Sequence, residues 1–581
     1  MAKNQETPVF QESALPAHLL TRPAGAADAS QTLRLALRLF PQGGDEAIFA
    51  RVAQMGALHP TERQAMTMEA LASEFGPAPE ALDAVQAFCD QHGFTLDHTS
   101  LGGLFATVVG NAGDLARAFG VGLQMYHYED RMFRGYEGTL TMPAALAPHV
   151  AAVLGLDNVS SVISRITKAK QPPCWVRTDS NGHNSPLTVA DTYYQYPTSY
   201  TGTGATIALI EQNLFIDLDN VEAWFSFLNY DVNLQLVRGS GYGAGSSADR
   251  QTDTSDLNGE AMLDIKLAGA VAPGATLAVY GMDQGYGHSS SGWIDTLIAA
   301  MNTSEYPCNV MSISLGGPEH GWQVQEALCV HFMFGLAALL NITVCVSSGD
   351  YGARGNRSGM LVQNCAFPAS SPLCLACGGT ELLVSQDLTL QGEVVWNELG
   401  GNLVDDINQK CATGGGRSVL FQVPEFQQGL SLPDGFNPGL PAGRALPDVA
   451  ANAAIASGYG LDPEDLSDYF GTSAAAPMWA ALIARLIEGC GGKALGYLNQ
   501  WLYAGQIDEK LSFCTPITQG NNGVPGDTVV YYAEPGNVWN ACCGMGSPLG
   551  VNIAKGLGID VSRAASAGRQ NAGDKTPKAR D

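Results

Sequence analysis

From about residue 205 the chain alternates short apolar runs with apolar-faced helical stretches, and few folds satisfy that alternation. The runs are Ala205–Glu211, Leu277–Tyr280, Val310–Ser314 and Thr343–Ser347; the helical patterns lie at about 258–270, 291–302 and 323–340. Strands without a polar face must be covered on both sides, and strands alternating with helices build a parallel sheet. The expected body is therefore α/β, a parallel sheet flanked by helices.

At 581 residues the chain exceeds what one core holds, so more than one domain is expected. Residues 1–30 are polar with Pro and Ala, and read as a flexible lead. From Thr32 the alternation of Leu33, Leu35, Leu37 and Leu39 predicts a half-buried strand. Helices are expected at about 45–55, 67–75 and 79–92, the last opening at Pro79 with Glu80 in its first turn. Strands near 103–108 and 121–127 with a short helix between them complete an α+β unit over 31–165. The stretch 166–187 carries Pro172-Pro173 and Asp179-Ser-Asn-Gly without periodicity, which marks an exposed, cleavable linker. The α/β body then occupies 188–560, and 561–581 is small, polar and mildly basic, a disordered tail.

Composition excludes some partners. With 30 Lys+Arg against 56 Asp+Glu the net charge is -26, which repels phosphate backbones and anionic membranes, so neither nucleic acid nor a membrane is expected. The same surface loses charge as carboxylates protonate and so tolerates acid. Residues 1–30 lack a basic and then apolar leader pattern, and no run of 18 apolar residues appears. Cys374-Leu-Ala-Cys377 has no matching second pair and reads as structural thiols. Gly202-Thr-Gly204 precedes its strand, contrary to a dinucleotide-binding turn.

The chemistry concentrates in Tyr469-Phe-Gly-Thr-Ser-Ala-Ala-Ala-Pro-Met-Trp. Ser473 precedes small residues, Pro477 and an apolar helical pattern, so it sits where backbone N–H groups meet developing negative charge. A serine that merely caps a core helix fits the same stretch. A catalytic serine needs a proton acceptor. After the linker and before Ser473 the histidines are His288, His320 and His331, none in a His-Gly-Thr setting. Asn258-Gly-Glu-Ala-Met-Leu-Asp instead places Glu260 and Asp264 four apart, neighbours on one helix face with Leu257, Ala261 and Leu267. Two carboxyls in a partly buried position do not both ionise; one keeps a proton. On a wet face they would simply be solvated. Asp350 follows the run ending at Ser347, at the carboxyl end of a parallel strand, where catalytic groups gather. Protonated, it would donate to an oxyanion; otherwise it closes an Asx turn.

Taken together, Ala72-Ser-Glu-Phe-Gly, Phe105–Leu123, Ser312-Ile-Ser-Leu-Gly-Gly-Pro-Glu, Phe367-Pro-Ala-Ser-Ser-Pro, Ala376-Cys-Gly-Gly-Thr, Thr413-Gly-Gly-Gly, Pro447-Asp-Val-Ala and Gly471-Thr-Ser-Ala resemble the sedolisin family of serine-carboxyl peptidases, kumamolisin-like members above all. The likeness spans about residues 30 to 560. It implies a subtilisin-like body and a ferredoxin-like prosegment that inhibits in cis and is removed by self-cleavage in acid. It further implies an endopeptidase with Ser473 as nucleophile, Glu260 as general base, Asp264 sharing its proton and Asp350 as oxyanion-hole acid. Protein or peptide substrates, a monomer and an extracellular location follow by the same resemblance.

Departures from the pattern are specific. The family's calcium site would fall on the carbonyls of Ile517, Gly536 and Val538 with Asn540, but Pro516 and Asn540 stand where Asp ligands are expected, so an empty site, and no cofactor, is expected. Leu315 replaces an aromatic residue near the site, altering an outer link to Glu211. Ala366 stands where some relatives are acidic, which argues against a preference for basic substrates. The rival reading is an inactive homologue serving as a binding or inhibitor module; the intact set of Ser473, Glu260, Asp264 and Asp350 speaks against it.

Overall fold

The computed structural model describes residues 9–128, 131–159, 168–169, 185–238, 259–282, 290–302, 304–355, 363–385, 387–398, 411–461, 468–507, 511–523 and 528–561. The expected linker and tail fall almost wholly outside them.

The N-terminal unit comprises strands β1 (Pro23–Ala26) and β2 (Thr32–Leu39), helices α1 (Asp45–Gly56), α2 (Met68–Phe75) and α3 (Pro79–His92), strands β3 (Thr95–Ser100) and β4 (Phe105–Asn111), helix α4 (Ala112–Ala118), and strands β5 (Leu123–Tyr128), β6 (Arg131–Tyr136) and β7 (Val150–Leu154). Four of the strands form an antiparallel sheet in the order β3-β4-β2-β7, and β1-β5-β6 form a second. Helix α3 starts at Pro79 and stops at Gly93, whose φ of 73° only glycine adopts without strain. Leu33, Leu35, Leu37 and Leu39 are buried in this unit's own core, as their alternation requires. Ala36 and Arg38 on the opposite face are buried too, because that face lies against the body.

The lead over 1–30 is not loose where it is described. Val9 and Phe10 pair with Thr141 and Leu140, and β1 pairs with β5. Ser13 is buried: its Oγ accepts the Leu140 N–H at 2.7 Å and its carbonyl accepts the Tyr136 hydroxyl at 2.8 Å. Backbone pairing at sheet edges demands no apolar pattern, so composition alone does not reveal it.

The connecting chain contributes β8 (Lys168–Ala169), and the body follows with β9 (Thr206–Glu211), α5 (Leu218–Phe227), β10 (Asn233–Arg238), α6 (Gly259–Val271), β11 (Thr276–Gly281), α7 (Ser290–Met301), β12 (Val310–Ile313), α8 (Val324–Leu339), β13 (Thr343–Ser347), β14 (Leu375–Val384), β15 (Leu390–Val395), β16 (Val449–Asn452), β17 (Tyr459–Gly460), β18 (Asp468–Tyr469) and α9 (Thr472–Gly489). The sheet order is β10-β11-β9-β12-β13-β14-β15, parallel as far as β14, with β16 also parallel to β14. Ile207 and Leu209 pack into the core shared with α6 and α9, while Ala208 and Ile210 pack with α7 and α8. That period of two puts helices on both faces of the sheet. The prosegment-like unit docks on the α7/α8 side, with α1 against α8 and β2 against α7.

Candidate active site

Adjacent parallel strands deliver their carboxyl ends to one place. Glu211 ends β9 and is wholly buried, Ser314 follows β12, and Asp350 lies just past β13. Helices α6 and α9 lie side by side across this edge. Helix α6 carries Glu260 in its first turn and Asp264 one turn on. It has no wet face: every residue from Glu260 to Val271 is buried, where the sequence suggested partial burial. Even Lys266 is enclosed, its ammonium donating to the Leu461 carbonyl at 2.9 Å and to Asn220.

Burial first, and the charge of Glu260 second, push the Asp264 carboxyl well above the ordinary range. One further hydroxyl, that of Ser314, lies between Asp264 and the backbone of Ser473. Ser314 Oγ is 2.6 Å from Asp264 Oδ2 and 3.1 Å from the Ser473 carbonyl oxygen. Its signals in the sequence are its place just past the end of a buried strand and its position inside the Ser312-Ile-Ser-Leu-Gly motif.

Ser473 is the second residue of α9 and retains 9% exposure, whereas Ala474, Ala475, Ala476, Met478 and Trp479 retain 1% or less. The N-cap is Gly471, with φ of 108°. Asp350 Oδ1 accepts both the Thr472 N–H and the Thr472 hydroxyl, each at 2.8 Å, and Thr472 Oγ1 in turn accepts the Gly349 N–H at 3.1 Å. Asp350 is thus latched to the residue preceding Ser473. Ala366 is half-buried beside this turn. Leu315 is fully buried. The histidines lie elsewhere: His320 packs against His18 and His331 against Phe49, both across the contact with the N-terminal unit, while His288 lies outside the described residues.

Just upstream of Ser473, β18 pairs antiparallel with β8, Lys168 opposite Tyr469 and Ala169 opposite Asp468. Chain that follows the N-terminal unit in sequence therefore lies as an added strand beside the serine's own approach strand.

The residues expected at a calcium site do not suit a cation. Asn540 Nδ2 donates to the Ile517 carbonyl at 3.0 Å, while Asn540 Oδ1 accepts the N–H groups of Cys542 at 3.0 Å and Cys543 at 2.9 Å. Those two N–H donors require an acceptor, so the amide orientation is settled chemically. A carbonyl facing an amide N–H is turned to a donor, and Pro516 brings no side-chain oxygen. Ca²⁺ needs six or more oxygens, some of them anionic.

A serine that keeps a trace of exposure beside buried carboxyls, at the strand ends of a parallel sheet whose other face carries a folded N-terminal domain, defines a serine peptidase built with a prosegment. Residues 21–159 match the Pro-kumamolisin activation domain. Kumamolisin from Bacillus sp. (strain MN-32) is 34% identical over 93% of this chain and 94% of its own length. Sedolisin from Pseudomonas sp. (strain 101) is 30% identical over 83% and 79%. The solved structure of Pseudomonas sedolisin with two molecules of pseudo-iodotyrostatin superposes with a TM-score of 0.54 at 28% identity, over 64% of this chain and 97% of that one. The chain belongs to the sedolisin family of serine-carboxyl peptidases and carries an N-terminal prosegment. The body has the subtilisin-like fold of that solved structure.

Proposed function

We propose that the protein is an acid-acting endopeptidase, made as a self-cleaving zymogen, in which Ser473 is activated by Glu260 and Asp264 with no imidazole involved. The observation that carries this reading is the buried pair on α6, joined through Ser314 to the first turn of α9. Ser473 Oγ attacks the peptide carbonyl carbon while Glu260 takes the hydroxyl proton. Glu260 then gives that proton to the departing amine, and an acyl-enzyme forms. In the second half Glu260 deprotonates a water, which attacks the ester and returns Ser473. A carboxylate base stays competent well below the pH at which a histidine would be charged.

The oxyanion is served by the Ser473 N–H, one of the first N–H groups of α9 with no partner in its own helix, and by Asp350. Oδ1 of Asp350 already accepts two bonds, so a proton on this carboxyl belongs on Oδ2. Donation requires that proton, so activity falls as Asp350 ionises. The result is a bell confined to the acid region.

The prosegment inhibits in cis, and the pairing of β8 with β18 supports a substrate-like path for the connecting chain. Protein and peptide substrates, a monomeric state, an extracellular setting and independence from calcium complete the proposal. Among the described residues no helix is long and apolar enough to cross a membrane.

The test is incubation at about pH 4 of the full chain beside Ser473→Ala, with N-terminal sequencing of products. Wild type should shed the prosegment and the variant should remain whole. Trimming of both, or of neither, refutes the proposal.

A further inference from the structure

We infer that Ser314 is a positioning residue that keeps a proton on Oδ2 of Asp264, and that Pro477 is what commits Ser314 to this task. The inference rests on the Ser-Glu-Asp reading above and adds to it the direction of one hydrogen bond.

A serine hydroxyl has one hydrogen, and Ser314 Oγ has two oxygen neighbours, Asp264 Oδ2 at 2.6 Å and the Ser473 carbonyl at 3.1 Å. The carbonyl can only accept. In an uninterrupted helix it would accept the N–H of the residue four further on. That residue is Pro477, which lies inside α9 and has no N–H. The Ser473 carbonyl is therefore deprived of its usual helical donor in a buried turn, where an unsatisfied acceptor is costly. The Ser314 hydrogen goes to it. The contact of 2.6 Å must then be filled from the other side, by a hydrogen on Asp264 Oδ2.

The surroundings agree. Burial and Glu260 both favour the neutral form of Asp264, whereas donation from Ser314 to an ionised Asp264 would oppose them. The buried ammonium of the same helix, Lys266, is turned to Asn220 and Leu461. With its proton fixed on Oδ2, Asp264 enters the cycle as an acid, and Glu260 is left as the member that ionises and takes the proton of Ser473.

The two directions predict opposite effects of removing the hydroxyl, and the protonated carboxyl band in the infrared reads them without turnover. The experiment uses the full chain carrying Ser473→Ala, with Asp264→Asn to identify the band. If Asp264 donates to Ser314, Ser314→Ala moves loss of that band to lower pH by about one unit, a tenfold weaker hold on the proton, and Ser314→Thr restores it. A shift to higher pH, or none, overturns the inference. Should Ser314→Ala not fold, Pro477→Ala decides. It returns an N–H to the Ser473 carbonyl, frees the Ser314 hydrogen for Asp264, and should also lower the midpoint; an unmoved midpoint overturns the inference. A wild-type chain without peptidase activity would sink the catalytic reading and leave the infrared result standing.

Discussion

The point where a Cβ on Gly471 would stand lies 2.9 Å from Asp350 Oδ2. Gly471 is thus required twice, by its φ of 108° and by the carboxyl against which it rests. Gly471→Ala is expected to displace Asp350 and to lower kcat/KM by about 10²-fold, the scale of a lost oxyanion donor, with KM little changed. Asp350→Asn, which donates at any pH, should retain activity and extend the alkaline limb upward. Steady-state rates across the acid range check both; an unaffected Gly471→Ala enzyme would remove Asp350 from the oxyanion site.

Asn540 is expected to hold its loop without a cation. Melting temperature and activity should be the same in chelator and in excess Ca²⁺. Asn540→Ala should cost about 1–3 kcal/mol, because it orphans the Cys542 and Cys543 N–H groups and the Ile517 carbonyl. A saturable rise in melting temperature with Ca²⁺ would contradict this.

Two buried carboxyls should favour the fold in acid. Burial pushes Asp157 up to about 6 against the pull of the Val159 N–H and Arg134, and pushes Glu398 up to about 7 against the Ile455 N–H and Trp396. Both values lie above those of the unfolded chain. Their stabilisation is therefore complete below about pH 4 and is lost as pH rises through about 6 to 7, by up to about 3 kcal/mol each. Above about pH 6.5, where the buried imidazoles are already neutral, melting temperature should fall towards about pH 8, and Glu398→Gln should flatten part of that fall. A flat profile in wild type would deny that either carboxyl is neutral in the fold.

Imidazoles across the prosegment contact should govern its release. The rings of His18 and His320 lie 5.1 Å apart, and burial lowers both, His18 further through the charge of His320. Tyr128 flanks His18, and Asn364 bonds His320. His331, lowered by burial and then by Arg38, packs tilted against Phe49 and bonds Ser371. Around α8 the charges are Arg38, its partner Asp45, and Glu326. Groups whose closed-state values are lowered favour the closed form above about pH 6.5 and oppose it as pH falls, about tenfold per unit for each imidazole. His18→Phe should move the onset of self-cleavage to lower pH and leave the profile of the mature enzyme unchanged. An unchanged onset would place the trigger elsewhere.

Much of this molecule is readable in one dimension because local periodicity is a local cause. The leucines of β2, Pro79 and Gly93 at the ends of α3, and the buried runs of β9, β12 and β13 each state their structure within a few residues. Glu260, Asp264, Asp350 and Ser473 each fit a bland alternative when taken alone, and they stand out only together with the family motifs around them. Ser314 was passed over, since a serine after a strand is ordinary until it is seen between Asp264 and the Ser473 carbonyl. The pairing of the lead with β5 and Leu140 was equally hidden, because backbone edges carry no side-chain signature.

By itself the amino-acid order determined most of the elements and the family pattern, and it named the candidate reactive groups, all within short windows. Tertiary structure alone decided that α6 is dry on every side, that one hydroxyl links its acid to α9, and that imidazoles face each other across the prosegment contact. Burial and proton sharing depend on what other parts of the chain bring within a few ångströms, and no local window contains that.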